Sequence, residues 1–463
     1  MTDQIIPHLV KDRSQPVFFM TDLIVVPIFM YIVISLFKNF VKKKEAEPIY
    51  KKYFMNALYV RLVCAFLTAC MYDFYYDGGD SIVYYLNILY LKPLLFENPP
   101  LFFHVLSHPQ DFESQKWLCT QVGDCGLFLF DGTTKIVILI GLFLSYFCLS
   151  SFMVISMTIT IFAFLGCWRL FKMFHEMYPQ LEKEMALACL FIPSVCFWGT
   201  GLMKDSLCVG ALGIFSYAVY EGLIRGKEIL KNIVLIIFMA YMLKEIKEYI
   251  ILSYAPAVGV WLFSRYRYNI KSQFFKVFIG PFLMLIGLGV GLLILSQMGK
   301  VAERYNFEEM TRTAKDTQNW MVYNTERQGG SFYTLGDIEY STAGMIKLFP
   351  KAVNVALFRP YIWEARKPLL VPAALEGIVS LFLTIQLLLR AGLFRVLKMI
   401  AANPEIQFCL SFAVIFAFAV GFTSYNFGAL ARYKIPFMPF YYIALFILAD
   451  SQKKQKDQLV KTQ

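Results

Sequence analysis

Along the chain, apolar runs of roughly 14–24 residues alternate with short polar stretches that are mostly basic. The runs fall at 18–37, 53–72, 152–173, 184–200, 205–224, 231–244, 249–264, 274–297, 368–390, 405–424 and 436–450. Each is a candidate membrane span, because about 20 apolar residues cross a bilayer core and fewer suffice where neighbours thin it. The short runs 231–244 and 249–264 flank Lys244-Glu245-Ile246-Lys247-Glu248, which reads as a tight hairpin with a charged tip. The run 134–150 is also apolar, but reading it as re-entrant or interfacial keeps all later basic loops on one side. Residues 341–358 place Met345, Leu348, Phe349, Ala352, Val355 and Ala356 at helical spacing, which predicts a helix in the interface with Pro350 as a candidate break. The pattern shows neither a fixed-period repeat nor inverted halves, which weighs against a secondary transporter.

Charge then orients the pattern. Lys plus Arg number 44 against 33 Asp plus Glu, a net charge of +11. Six of the cations crowd into 38–52, whereas 73–151 holds only Lys92, Lys116 and Lys135. The positive-inside rule therefore predicts an all-α polytopic protein of eleven spans, its N-terminus outside and its C-terminus cytoplasmic. It is expected to be a single transmembrane domain over 1–463, with large outer loops at 73–151 and 298–367. Composition agrees: 58% of residues are hydrophobic and 17% charged, where soluble domains carry about 25% charged residues. That excludes a soluble enzyme, a disordered chain and a fibrous repeat. The positive excess reports topology and lipid headgroups rather than nucleic acid. Eight of the ten cysteines lie in apolar runs; Cys119 and Cys125, in the polar loop, pair in an oxidising space or stay as thiols. The polar start and the lack of an A-x-A site predict no cleavable signal peptide.

Four stretches carry candidate chemistry. Tyr72-Asp73-Phe74-Tyr75-Tyr76-Asp77-Gly78-Gly79-Asp80-Ser81 sets three carboxylates among aromatics just past a span. Carboxylates so placed suit a general base, and Asp80 is also a candidate N-cap for a helix over 81–96. In Phe197-Trp198-Gly199-Thr200-Gly201-Leu202-Met203-Lys204-Asp205-Ser206, Lys204 sits at the depth of an outer-leaflet phosphate, and Asp205 or Ser206 caps the next helix; a plain hairpin tip with an interfacial lysine explains it equally. Phe358-Arg359-Pro360-Tyr361-Ile362-Trp363-Glu364-Ala365-Arg366-Lys367-Pro368 offers an arginine fork for a lipid phosphate, or else an aromatic belt with snorkelling cations. In Asn426-Phe427-Gly428-Ala429-Leu430-Ala431-Arg432-Tyr433-Lys434, Arg432 and Lys434 fall on the trans side against the charge rule; an anionic ligand accounts for them, as does pairing with the acids of 73–151. Arg61, inside a span, needs a partner within the bundle. His104, His108 and His175 have no metal-ligand spacing.

Together these stretches resemble the GT-C superfamily of integral-membrane glycosyltransferases, which includes the protein O-mannosyltransferases. In that superfamily a catalytic acid sits in the first large outer loop, shortly after a spanning helix, and the loop returns through interfacial helices. Asp73, Asp77 and Asp80 match that position, and Pro99-Pro100-Leu101 with 134–150 is similar to the returning part. WGTGLMKDS, LFRPYIWEA and NFGALARYKIPFMPF also look like stretches of uncharacterised membrane proteins from bacterial surface-polysaccharide loci. The chain departs from the superfamily in its extra first span and in lacking an Asp-Glu or Asp-Asp pair.

The resemblance implies an inverting transferase in a bacterial inner membrane, using a polyprenyl-phosphate or diphosphate sugar on the extracytoplasmic face. Asp80, then Asp77, then Asp73 is the expected base. Lys204, Arg359, Arg432 and Lys434 would hold the lipid phosphate, supported by Asp205, Glu364 and Arg366. Whether a divalent cation takes part stays open. Polysaccharide-assembly proteins are candidate partners. An O-antigen-type polymerase leaning on loop 298–367, a flippase of lipid-linked sugars and a non-catalytic assembly subunit are the rival readings.

Overall fold

A computed structural model of the 463-residue chain describes residues 17–44, 46–76, 78–108, 111–114, 116, 132–266, 331–336 and 342–461. In chain order its helices are α1 (Asp22–Lys43), α2 (Met55–Cys70), α3 (Asp80–Glu97), α4 (Pro99–Ser107), α5 (Gly132–Phe147), α6 (Phe152–Met177), α7 (Glu182–Leu190), α8 (Pro193–Trp198), α9 (Lys204–Ala218), α10 (Ile229–Tyr266), α11 (Thr342–Phe358), α12 (Val371–Ala391), α13 (Leu393–Ala402), α14 (Pro404–Thr423), α15 (Phe427–Tyr433) and α16 (Met438–Lys461). Wide helical turns at Tyr50–Phe54 and Met71–Tyr75 extend α2 at both ends. Among the described residues the only extended pairing is a lone bridge between Phe332 and Asn426.

Six helical segments in the described residues are long and apolar enough to cross a membrane: Asp22–Lys43, Tyr50–Tyr75, Phe152–Met177, Lys204–Ile224, Pro368–Ala391 and Pro404–Thr423. The chain is thus an all-α, multi-pass membrane protein. Each of the six falls on one of the eleven expected runs. The run 274–297 lies outside the described residues. The run 184–200 is two short helices, α7 and α8, because Pro193 opens α8 and cannot continue α7. α5 has 16 residues, or about 24 Å at 1.5 Å per residue, too short for a bilayer core of about 30 Å. The helix over 341–358 forms as α11 with Pro350 inside it, unbroken.

At the hairpin expected over 244–248 two helical stretches meet at a kink. α10 runs from 229 to 266 and leaves helical geometry only at Lys247 (φ −149°, ψ 84°). Lys247 is buried rather than held at an exposed tip.

Contacts gather the chain into two compact units. The first comprises 1–170, 196–222 and 228–247. Its core packs Phe54 edge-on against Phe164 (4.9 Å) and Trp168 (4.8 Å). α6 and α9 meet backbone to backbone: a Cβ on Gly166 would lie 2.2 Å from the Gly210 carbonyl oxygen, and one on Gly213 would lie 2.1 Å from the Gly166 oxygen. Such small-residue seams are the close-packing device of membrane helices. Arg61, 1% exposed, donates to the Gly199 carbonyl (3.3 Å) and to Cys167 Sγ (3.0 Å), which answers its need for partners inside the bundle.

The second unit comprises 171–195, 223–227 and 248–463. Tyr254, Phe408, Phe412 and Phe440 pack at 5.0–5.9 Å in edge-on pairs, and Trp261 stacks on Phe408 at 4.5 Å. α11 lies so close to α14 that a Cβ on Gly421 would meet the Ala352 carbonyl oxygen at 2.0 Å. Glu405, 4% exposed at the start of α14, accepts from Trp261 Nε1 (3.2 Å) and the Tyr178 hydroxyl (3.2 Å) and pairs with Arg265 (2.7 Å).

Candidate functional site

Two of the four chemistry-bearing stretches lie in the first unit, and the other two meet in the second, where Arg359 faces Phe427. In the first unit the end of α2 is tied to the turn before α9 by the Thr68 and Thr200 hydroxyls, 2.9 Å apart. Four residues beyond Thr68, Tyr72 packs beneath Gly79; a Cβ there would stand 3.2 Å from its ring. Gly79 has φ 93°, a left-handed geometry that turns the chain sharply into α3. Asp80 is the first residue of α3 and half-exposed. It does not cap the helix, as Gly79 occupies that place; an acid in the first turn still favours the helix dipole. Asp73 is used differently. It is 6% exposed and accepts from the backbone amides of Val17 (2.7 Å) and Phe18 (3.0 Å), fastening the segment that leads into α1. Asp77 lies outside the described residues, as do Cys119 and Cys125.

Lys204 opens α9 and donates through Nζ to Thr133 Oγ1 at 2.6 Å, at the start of α5. α5 in turn packs on α3, where Gly141 faces Ile88. The cap of α9 is Met203, without a side-chain bond, so neither Asp205 nor Ser206 caps it. Asp205 is fully buried and forms an ion pair with Lys247.

In the second unit Arg359 is enclosed. Its Nε donates to Glu364 Oε2 (3.0 Å), and its Nη2 to Glu364 Oε1. The guanidinium also faces the rings of Phe427 (5.2 Å), Tyr333 (5.7 Å) and Tyr361 (5.8 Å). Glu364 further accepts from the Tyr361 amide (2.8 Å). The fork expected for a phosphate therefore closes on a carboxylate five residues away. The 331–333 segment stitches this corner together: Tyr333 N donates to the Tyr425 carbonyl (3.0 Å), Phe427 N to the Ser331 carbonyl (3.1 Å), and Arg366 N to Ser331 Oγ (3.1 Å). The Arg366 side chain is exposed. Arg432 is half-buried in the last turn of α15.

Lys434, just past α15, is fully buried, and its Nζ has no hydrogen-bond partner among the described residues. Burial pushes its ammonium below the usual lysine value, while the charge of Glu376 pulls it back. Glu376, 6% exposed on α12, accepts from the Ser194 amide (3.1 Å) and hydroxyl (2.8 Å).

Sequence reasoning missed Glu376 and Lys247. The cost of an acid inside an apolar run was the available signal for Glu376, by the logic applied to Arg61. No group of three or more His, Cys, Asp or Glu able to hold a metal occurs among the described residues. No family model, no curated protein and no solved structure matches this chain.

Proposed function

We propose that the chain is a membrane glycosyltransferase of the GT-C kind. It takes its sugar from a polyprenyl-phosphate or diphosphate donor on the extracytoplasmic face of a bacterial inner membrane, in surface-polysaccharide or glycoconjugate synthesis. The observation that carries this reading is the place of Asp80, which opens α3 half-exposed directly after the Gly78-Gly79 turn. Asp80 takes the proton of the acceptor hydroxyl as that oxygen attacks the anomeric carbon. The bond from sugar to phosphate breaks on the opposite face, and the lipid phosphate leaves with the electron pair. Lys204, at the same end of the first unit, meets the charge growing on that phosphate. In the second unit, Arg359, Arg432 and Lys434 are the cations available to an anionic lipid headgroup. The test is transfer from a radiolabelled polyprenyl-phosphate sugar by the purified chain in lipid, wild type against Asp80→Asn. Transfer that survives at the wild-type rate in Asp80→Asn and Asp77→Asn alike would remove the mechanism.

The polymerase reading draws on a separate observation, the anchoring of 331–333 from the large outer loop beside Arg359 and Phe427. It requires the acceptor to be a second lipid-linked glycan. An assay in which only lipid-linked acceptors extend would favour it.

A further inference from the structure

α13 is a ten-residue connector between two membrane-length helices, α12 and α14. Both ends are fixed. Gly392 (φ 76°) turns the chain out of α12, and its carbonyl accepts from Val396 N (3.1 Å). At the other end Gln407 Nε2, from the first turn of α14, donates to the carbonyls of Ile400 (3.0 Å) and Ala401 (2.8 Å). Because both neighbours have spanning length, a connector held this tightly sits at the membrane boundary where they end.

At about 100° per residue the helix shows three faces. Val396 and Met399 are buried and Ile400 is half-buried against the second unit. Leu393 (59% exposed), Phe394 (81%) and Leu397 (51%) form an uncovered apolar face, continued onto α12 by Leu389. Arg395 and Lys398 form the third face and are exposed, as is Arg390 one turn earlier. From 377 to 404 the sequence holds these three cations and no acid.

An apolar face beside a purely cationic face, at the mouth of two spans, matches one surface: acyl chains below anionic phosphate headgroups. We propose that α13 lies in the plane of the membrane as a built-in anchor for anionic phospholipid. Leu393, Phe394 and Leu397 enter the acyl region, and Arg390, Arg395 and Lys398 gather headgroup phosphates. This inference is independent of the transferase reading.

The test places a photo-crosslinking residue on the apolar face, Phe394→p-benzoylphenylalanine, in the full chain in vesicles of phosphatidylcholine and phosphatidylglycerol at three to one. The same residue at Val379, an exposed position on α12, reports the bulk ratio. Each cation at an anionic surface is worth roughly fivefold in local lipid preference. Adducts at 394 should therefore be enriched in phosphatidylglycerol at least about fivefold over those at 379. The triple variant R390Q/R395Q/K398Q should return that ratio to bulk, while R390K/R395K should keep it, separating charge from packing. An absence of lipid adducts at 394, a bulk ratio there in the wild-type background, or enrichment that survives the triple variant would each overturn the proposal.

Discussion

Lys247 in the first unit and Lys434 in the second are both buried lysines, and they differ in what meets them. Lys247 stands at the one residue where α10 leaves helical geometry, and its ammonium pairs with Asp205. Lys434 feels the charge of Glu376 but has no hydrogen-bond partner among the described residues. The two acids differ in exposure rather than in partners. Asp73 is buried against two amides, and Asp80 is half-exposed. A buried charge that is matched holds architecture, and its removal leaves the partner stranded. A buried charge that is poorly matched has a standing cost that a chain keeps for some other benefit, and that is where ligands and protons act.

The widest gap expected is between the two acids. Asp80→Asn should cut transfer by about 100- to 10,000-fold with the unfolding temperature unchanged. Asp73→Asn should do the reverse, weakening two charge-assisted bonds worth about 1.5–3 kcal/mol each and lowering stability while folded protein still transfers. Equal losses of rate in both variants would erase the distinction. Next come the lysines. Lys247→Met strands the buried Asp205 carboxylate and should destabilise by about 3–5 kcal/mol, with Asp205→Asn in the same chain recovering most of it. Lys434→Met should cost less, since Glu376 keeps its Ser194 bonds, and thermal unfolding in detergent measures both. At Arg359, replacement by Lys keeps the charge but loses the fork to Glu364; about 1 kcal/mol of stability should go, with little change in transfer if the residue is architectural. The smallest effect concerns pH. The folded-state pKa of Lys434 lies below its unfolded value, so between the two the unfolded chain binds the extra proton. Stability should therefore rise with pH across that alkaline window. Lys434→Met should abolish this rise, and an unchanged slope would show that another group causes it.

The lengths of α1, α2, α6, α9, α12 and α14 were legible because an apolar run is its own record of bilayer thickness. α11 was legible from its spacing despite Pro350. The break at Lys247 was not: a cluster of alternating charges reads as an exposed tip, and nothing local reports that one of its lysines turns inward to a carboxylate 42 residues earlier. Asp73 looked like the other acids of its loop because its partners come from the chain more than 50 residues before it. Arg359 and Glu364 were both singled out, but their closure on one another depends on how the chain turns at Pro360. What the sequence does carry is the pairing of residue types. It marked the four stretches, and the fold places two in each unit.

The glycine seam between α6 and α9 sets a mechanical tolerance for the turn at 199–203. Gly166 and Gly213 bring the two backbones into contact, while further along the same helices Thr160 accepts from the Gly201 amide (2.9 Å) and Cys167 from Arg61, which also holds Gly199. The seam is a fulcrum and the turn is the end of a short lever. A single methyl at Gly166 has no space to enter without prising the helices apart. The displacement would be felt where Lys204 meets Thr133, so that a change of one carbon would misalign the ammonium that begins α9.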